Sequence, residues 1–133
     1  MGSKIYIAGK ISGDENYKAK FAEAEEFYKK NGYTVITPTV LPAGMRPADY
    51  MRICFAMIDT ADAVSFLPDY IRSEGALVEH AYCCYTDKMI RHYEEDNNGE
   101  KMDWLAIGKA ASDGIYAGLR DIERTAPEVE EEQ

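Results

Sequence analysis

The sequence predicts an α/β fold of the Rossmann-like, flavodoxin-like kind, a parallel sheet of four to five strands with helices on both faces. Three observations predict it. Short runs rich in β-branched and aromatic residues alternate with longer stretches whose apolar residues recur at helical spacing. The order is strand, helix, strand, helix, strand, helix, which implies right-handed crossovers and therefore parallel strands covered on both sides. Glycine and proline mark the ends of these segments.

The first strand is Lys4-Ile-Tyr-Ile-Ala8, broken by Gly9 and Gly13 of "GKISG". Tyr17, Phe21, Ala24 and Tyr28 then fall on one face of an amphipathic helix, entered through Asp14 and closed by Asn31-Gly32. "YTVITP", Tyr33 to Pro38, is a second strand stopped by proline, and Thr39 to Pro47 is a loop dense in proline and glycine. Pro47 opens a second helix, where its missing N–H does no harm, with Met51, Phe55 and Ile58 on the inner face. Asp62 to Pro68 supplies a third strand, the stretch from Tyr70 a third helix, and Met89 to Tyr93 a fourth strand. Residues 101–124 are helical by composition. The acidic segments "YEEDNNGE", Tyr93 to Glu100, and "EVEEEQ", Glu128 to Gln133, are expected to be solvated loop and fray, so that 94–100 and 126–133 are flexible. With 133 residues and no repeat or linker, the chain is expected to be a single domain spanning 1–133.

Composition removes several classes of function. With 46% hydrophobic and 29% charged residues and only 5 prolines, the chain reads as a folded globular protein. A net charge of -9 with scattered basic residues argues against a nucleic-acid groove. No apolar run approaches the roughly 20 residues that cross a bilayer, the first residues pass straight into a strand without a signal-peptide core, and Tyr6 stands where myristoylation after Gly2 wants Ser or Thr. A cytoplasmic protein with no membrane partner is expected. Cys54, Cys83 and Cys84 form no C-x-x-C, so reduced thiols are expected. His80 and Cys84 have the i,i+4 spacing of two metal ligands, but no third ligand is suitably spaced; neither metal nor organic cofactor is expected.

In folds of this kind ligands bind past the carboxyl ends of the strands, which singles out Gly9 to Asp14, Pro38 to Pro47 and Leu67 to Gly75. Gly9-Lys10-Ile11-Ser12-Gly13 could turn its amides toward an anion, with Lys10 adding charge and Ser12 a hydroxyl, although it is neither a Walker loop nor a dinucleotide fingerprint. Ser73-Glu74-Gly75 is a second candidate cradle, with Ser73 as helix cap. Each has a plain structural reading, as a turn and as a cap. The two loops are neighbours only if strands one and three pair, and a phosphate would then fit between them. Glu79 falls on the face of Gly75, near Ser73. On the residues alone, it is either a solvated carboxylate or a nucleophile that attacks an anomeric carbon, with another group helping the base to leave.

Taken together, "KIYIAGKISG", a glycine-terminated helix, a strand ending in proline and "FLP" followed by Ser73, Gly75, Ala76 and Glu79 resemble the nucleoside 2-deoxyribosyltransferase superfamily, and within it a small bacterial and phage-borne branch. The resemblance covers roughly Lys4 to Tyr93 and extends to deoxynucleoside monophosphate N-glycosidases. It implies that Glu79 is the nucleophile and Tyr6 its near neighbour. Ser73 stands where those hydrolases have serine and nucleoside transferases have aspartate, and "GKISG" is similar to their "G-S-I-R-G" loop, so a 5′-phosphate is implied on Gly9, Lys10, Ile11, Ser12, Gly13, Ser73 and Gly75. Pro38, Thr39 and Leu41 would line the base. One departure is Cys54, which stands near the place of a usual aspartate on the second helix, with Asp49 and Asp59 off that position. The expected activity is cleavage of the N-glycosidic bond of a (deoxy)nucleoside 5′-monophosphate through a covalent glycosyl-glutamate, by hydrolysis or transfer. The alternatives are a catalytically silent nucleotide sensor or sequestering protein and a nicotinamide-nucleotide glycohydrolase. A homodimer or larger homo-oligomer is implied, with Trp104 to Ile107 as its interface or, equally, part of the chain's own core.

Overall fold

The computed structural model of the chain describes residues 2–98. β1 (Lys4–Ala8), β2 (Thr34–Ile36), β3 (Ala63–Phe66) and β4 (Met89–His92) form one sheet in the order β2-β1-β3-β4. Every pairing is parallel, with Tyr6 beside Ile36 on one side and Val64 on the other. This is the flavodoxin-like order, in which the chain reverses direction across the sheet between β1 and β3.

Parity along β1 divides the core into two layers, because successive side chains of a strand point to opposite faces. Ile5 and Ile7 join Phe21, Ala24 and Tyr28 of α1 (Tyr17–Lys30), together with Ala63 and Leu67. Tyr6 and Ala8 join Cys54 and Ile58 of α2 (Pro47–Thr60), Val64 and Phe66, and Ala76 and Cys83 of α3 (Glu74–Tyr85). The sheet is therefore covered on both faces, as the alternation of segments predicts.

Local chemistry sets the element ends. Asn31 and Gly32 close α1, and Gly32 takes φ +92, a left-handed turn that side chains resist. Pro47 occupies the first turn of α2. Asp14 lies before α1 and accepts a hydrogen bond from the Asn16 amide at 2.9 Å, so it shapes the approach to the helix without capping it. On α2 the buried residues are Cys54 and Ile58; Phe55 turns sideways and stacks on Tyr82 of α3, with ring centroids 4.0 Å apart. The helix expected from Tyr70 is divided: Pro68–Arg72 form a 3₁₀ turn, Ser73 is extended, and α3 begins at Glu74 with the Ser73 hydroxyl accepting from the Ala76 amide at 3.1 Å.

The acidic run after β4 corrects the sequence reading of a solvated loop. Residues 93–98 wind into a short helix, α4 (Tyr93–Asn98). Its acids stand in the first turn, where a helix favours negative charge, and Asp96 reaches inward to accept from Tyr28 at 2.6 Å and from Arg91 at 2.9 and 2.8 Å. Residues 101–124, 126–133 and the Trp104 to Ile107 interface lie outside the described residues. Among the described residues, no helix is long and apolar enough to cross a membrane.

Candidate active site

Glu79 stands on a helix whose other buried residues are Ala76, His80, Ala81 and Cys83, and it turns toward the sheet. Only 6% of it is exposed. The hydroxyl of Tyr6, itself fully buried in β1, donates to Glu79 Oε2 at 2.9 Å. The Cys54 thiol on α2 lies in the same buried layer as Tyr6 and acts on the electrostatics of both groups. Three elements thus converge on one carboxylate: a central strand from below, and one helix from either side.

Electrostatics follow from that burial. Loss of water pushes the Glu79 carboxyl up to about 7, against the pull of the Tyr6 hydroxyl and the Cys54 thiol, which favour its charged form. Burial, followed by the neighbouring Glu79 charge, raises the Tyr6 hydroxyl well above the usual tyrosine range. Burial likewise raises Cys54 to about 11, so both groups keep their protons at neutral pH. Among the described residues, Glu79 makes no ion pair, and the side chains that act on its charge are these two neutral groups. A buried carboxylate near neutral pKa, held by the Tyr6 donor, has the makings of a nucleophile whose charge is available and whose orientation is fixed.

The first and third crossover turns are neighbours. The Leu67 amide donates to Ala8 O at 2.8 Å, and the Lys10 amide to Asp69 Oδ1 at 3.1 Å. Lys20 of α1 ties the two turns together: its ammonium donates to Lys10 O at 2.8 Å and pairs with the carboxylates of Asp14 and Asp69. Although burial works against its charge, the two acids raise the Lys20 pKa. This clamp has no periodic signal in the sequence; only the position of Asp69 just after a strand-ending proline hints at it.

The remaining candidate residues are distributed unevenly. Gly9 has a packing reason of its own, since a Cβ there would stand 2.8 Å from Leu67 Cδ1. The Lys10 amide is engaged by Asp69, and its ammonium folds back toward Gly13, which has φ +80. The Ile11 side chain joins the α1 layer, while Ser12 is exposed; the Ile11, Ser12 and Gly13 amides make no backbone hydrogen bond among the described residues. Ser73 and Gly75 open α3 one turn before Glu79, with Met51 of α2 over Gly75. Pro38, Thr39 and Leu41 follow β2. Pro38 is buried, Thr39 bonds Thr37, and Leu41 packs on the layer that holds Tyr6 and Cys54. His80 Nδ1 and Cys84 Sγ are 3.6 Å apart, and His80 stacks against Tyr70. Among the described residues, no group of three or more His, Cys, Asp or Glu could hold a metal.

A cleft of about 190 Å³ opens on the α1 side, lined by Lys20, Leu67, Pro68 and Tyr93 among others. It lies across the sheet from Glu79 and shares none of its contacts.

No curated protein matches the chain. The match that places it is to a family model covering residues 3–92, from the first strand through β4 and so across every element that builds this site; the chain belongs to the family described as "Domain of unknown function (DUF4406)".

Proposed function

We propose that the protein is an N-glycosidase or deoxyribosyltransferase-like enzyme that cleaves the base from a (deoxy)nucleoside 5′-monophosphate, with Glu79 as nucleophile. The observation that carries this reading is the hydrogen bond from Tyr6 to a buried Glu79, beside the strand ends where ligands of such sheets bind. The carboxylate attacks C1′ and displaces the base, and water or a second base resolves the glycosyl ester. Tyr6 aims the carboxylate. The Ser12 and Gly13 amides and the Ser73 hydroxyl, whose oxygen already accepts from Ala76 but whose proton is free to donate, are suited to the 5′-phosphate.

The test is release of free base, followed by chromatography, from a panel of deoxynucleoside monophosphates, ribonucleotides and dinucleotides. The wild type releases base, and Glu79→Gln, with a native melting profile, is slower by a thousand-fold or more, on the order expected for loss of a nucleophile. Tight binding of a nucleotide by both proteins without release would replace the enzyme by a nucleotide sensor.

A further inference from the structure

A neutral base leaving C1′ takes the bonding electrons with it, so it ordinarily needs a proton as the bond breaks. The two side chains that bear most directly on the Glu79 carboxylate supply that proton poorly. Tyr6 donates to it and Cys54 lies in the same layer as Tyr6, and burial makes both very weak acids. Of the carboxylates in the bordering turns and at the start of α2, Asp14 and Asp69 are paired with Lys20 and Asp49 with Arg46 and Arg52, while Glu15 and Glu74 are exposed. Hydrogen bonding to Lys20 holds Asp14 below the usual carboxylate range. A carboxylate paired with a cation is favoured in its charged form and is a poor proton donor. Glu79, meanwhile, is a buried acid with neutral partners, and a positive charge brought by a ligand would favour its ionised form.

From this arrangement of Glu79, Tyr6, Cys54 and the cation-paired loop acids, we infer that the preferred substrates are 5′-phosphorylated N-glycosides whose base is already a cation, a quaternary pyridinium or an N7-alkylated purine. The inference rests on the glycosidase reading above and specifies its substrate. As the Glu79 carboxylate forms its bond to C1′, the C1′–N bond breaks and its electron pair passes to the ring nitrogen, cancelling the positive charge. The base leaves neutral with no proton transferred. Water then attacks C1′, the glycosyl ester breaks, Glu79 departs as carboxylate, and the proton of the water passes to solvent.

The experiment compares matched pairs that differ in the charge of the base: guanosine 5′-monophosphate and its N7-methyl derivative, the 2′-deoxy forms of both, and nicotinamide mononucleotide as the pyridinium. Rates are divided by the spontaneous rate of each compound, and Glu79→Gln, checked by thermal melting, is run beside wild type. Because general acid catalysis is worth about 100-fold or more to a neutral base, the cationic member of a pair should retain at least about a 100-fold larger acceleration. For the pyridinium, whose charge does not titrate, kcat/KM should rise with pH as Glu79 ionises near 7 and then stay level to alkaline pH. Nicotinamide release alone would assign the pyridinium; methylguanine release alone, the alkylated purine. Equal or greater acceleration of neutral members, lost in Glu79→Gln, overturns the cationic preference and leaves the glycosidase reading standing, as does a falling alkaline limb for the pyridinium, since it would report an acid that must be protonated. Release from no member, with a native melt, removes the glycosidase reading and this inference with it.

Discussion

Tyr6 and Glu79 are separated by 73 residues in the chain and meet at 2.9 Å, a buried hydroxyl donating to a buried carboxylate. Tyr6→Phe keeps the ring in its layer and removes the donor. The carboxylate then relies on Cys54, so its charged form becomes costlier. A hydrogen bond to a charged group contributes about 1.5–3 kcal/mol, which predicts that the Glu79 pKa climbs above 7 by about one pH unit or more. NMR titration of ¹³C-labelled glutamate side chains measures it, and an unmoved midpoint would remove Tyr6 from the electrostatics of the site.

The same carboxylate makes stability depend on pH. Its folded value, about 7, lies above the ordinary 4.5, so between these limits the folded chain holds a proton that the unfolded chain has released. Stability is full below about pH 4.5, falls as pH rises, and levels off above about 7. Glu79→Gln abolishes the loss and should make the protein more stable than wild type at pH 8, by up to about 3 kcal/mol from the 2.5-unit difference, with little gain at pH 4. Urea unfolding at a series of pH values tests both ends.

Gly9 and Leu67 leave no room for another methyl group. A Cβ at residue 9 would also lie 3.0 Å from Leu67 Cβ, which is tied to the backbone and cannot swing aside, and Leu67 is 1% exposed. Gly9→Ala therefore forces the β1 and β3 turns apart and should cost about 1–3 kcal/mol. Paired with Leu67→Ala in a double-mutant cycle, much of the cost of the glycine change should disappear.

Asp96 secures α4 to α1 through Tyr28 and to β4 through Arg91. Burial pushes its pKa up, but the hydrogen bonds from Arg91 and Tyr28 prevail and hold it below 3.8. Its contribution is present above the ordinary carboxylate value and is lost as pH falls through the lower folded value. Asp96→Ala should destabilise the protein by about 1–3 kcal/mol at pH 7, with a smaller difference at pH 2–3, and should speed hydrogen exchange of residues 93–98. A variant equally stable at pH 7 would mean that α4 is held by Tyr93 packing alone.

What the sequence makes legible is what repeats locally. Parity along Lys4–Ala8 puts Tyr6 on the opposite face from Ile5 and Ile7, and helical spacing puts Glu79 with Gly75; both relations hold because they depend on backbone geometry within a few residues. Spacing gives the face of Glu79 but not its burial, which depends on α2 closing over it with Cys54. Lys20 and Asp69 are 49 residues apart at positions that read as polar surface, and Asp96 finds Tyr28 at a separation of 68. Pairings of that range leave no periodic trace. Phe55 is a subtler case: its spacing correctly marks it as apolar and inward, yet its ring serves the seam between α2 and α3 instead of the sheet.

β1 and β3 are the two inner strands, each with a ladder on either side, whereas β2 is three residues long and has one ladder. Their amides would exchange with deuterium only when the whole sheet opens, while β2 frays on its own. Residues 37–46 hang from that fraying edge and carry Leu41 onto the Tyr6 layer. That segment can thus loosen from the Tyr6 layer on the microsecond-to-millisecond scale while the strand that carries Tyr6 and the helix that follows β3 stay rigid beneath it.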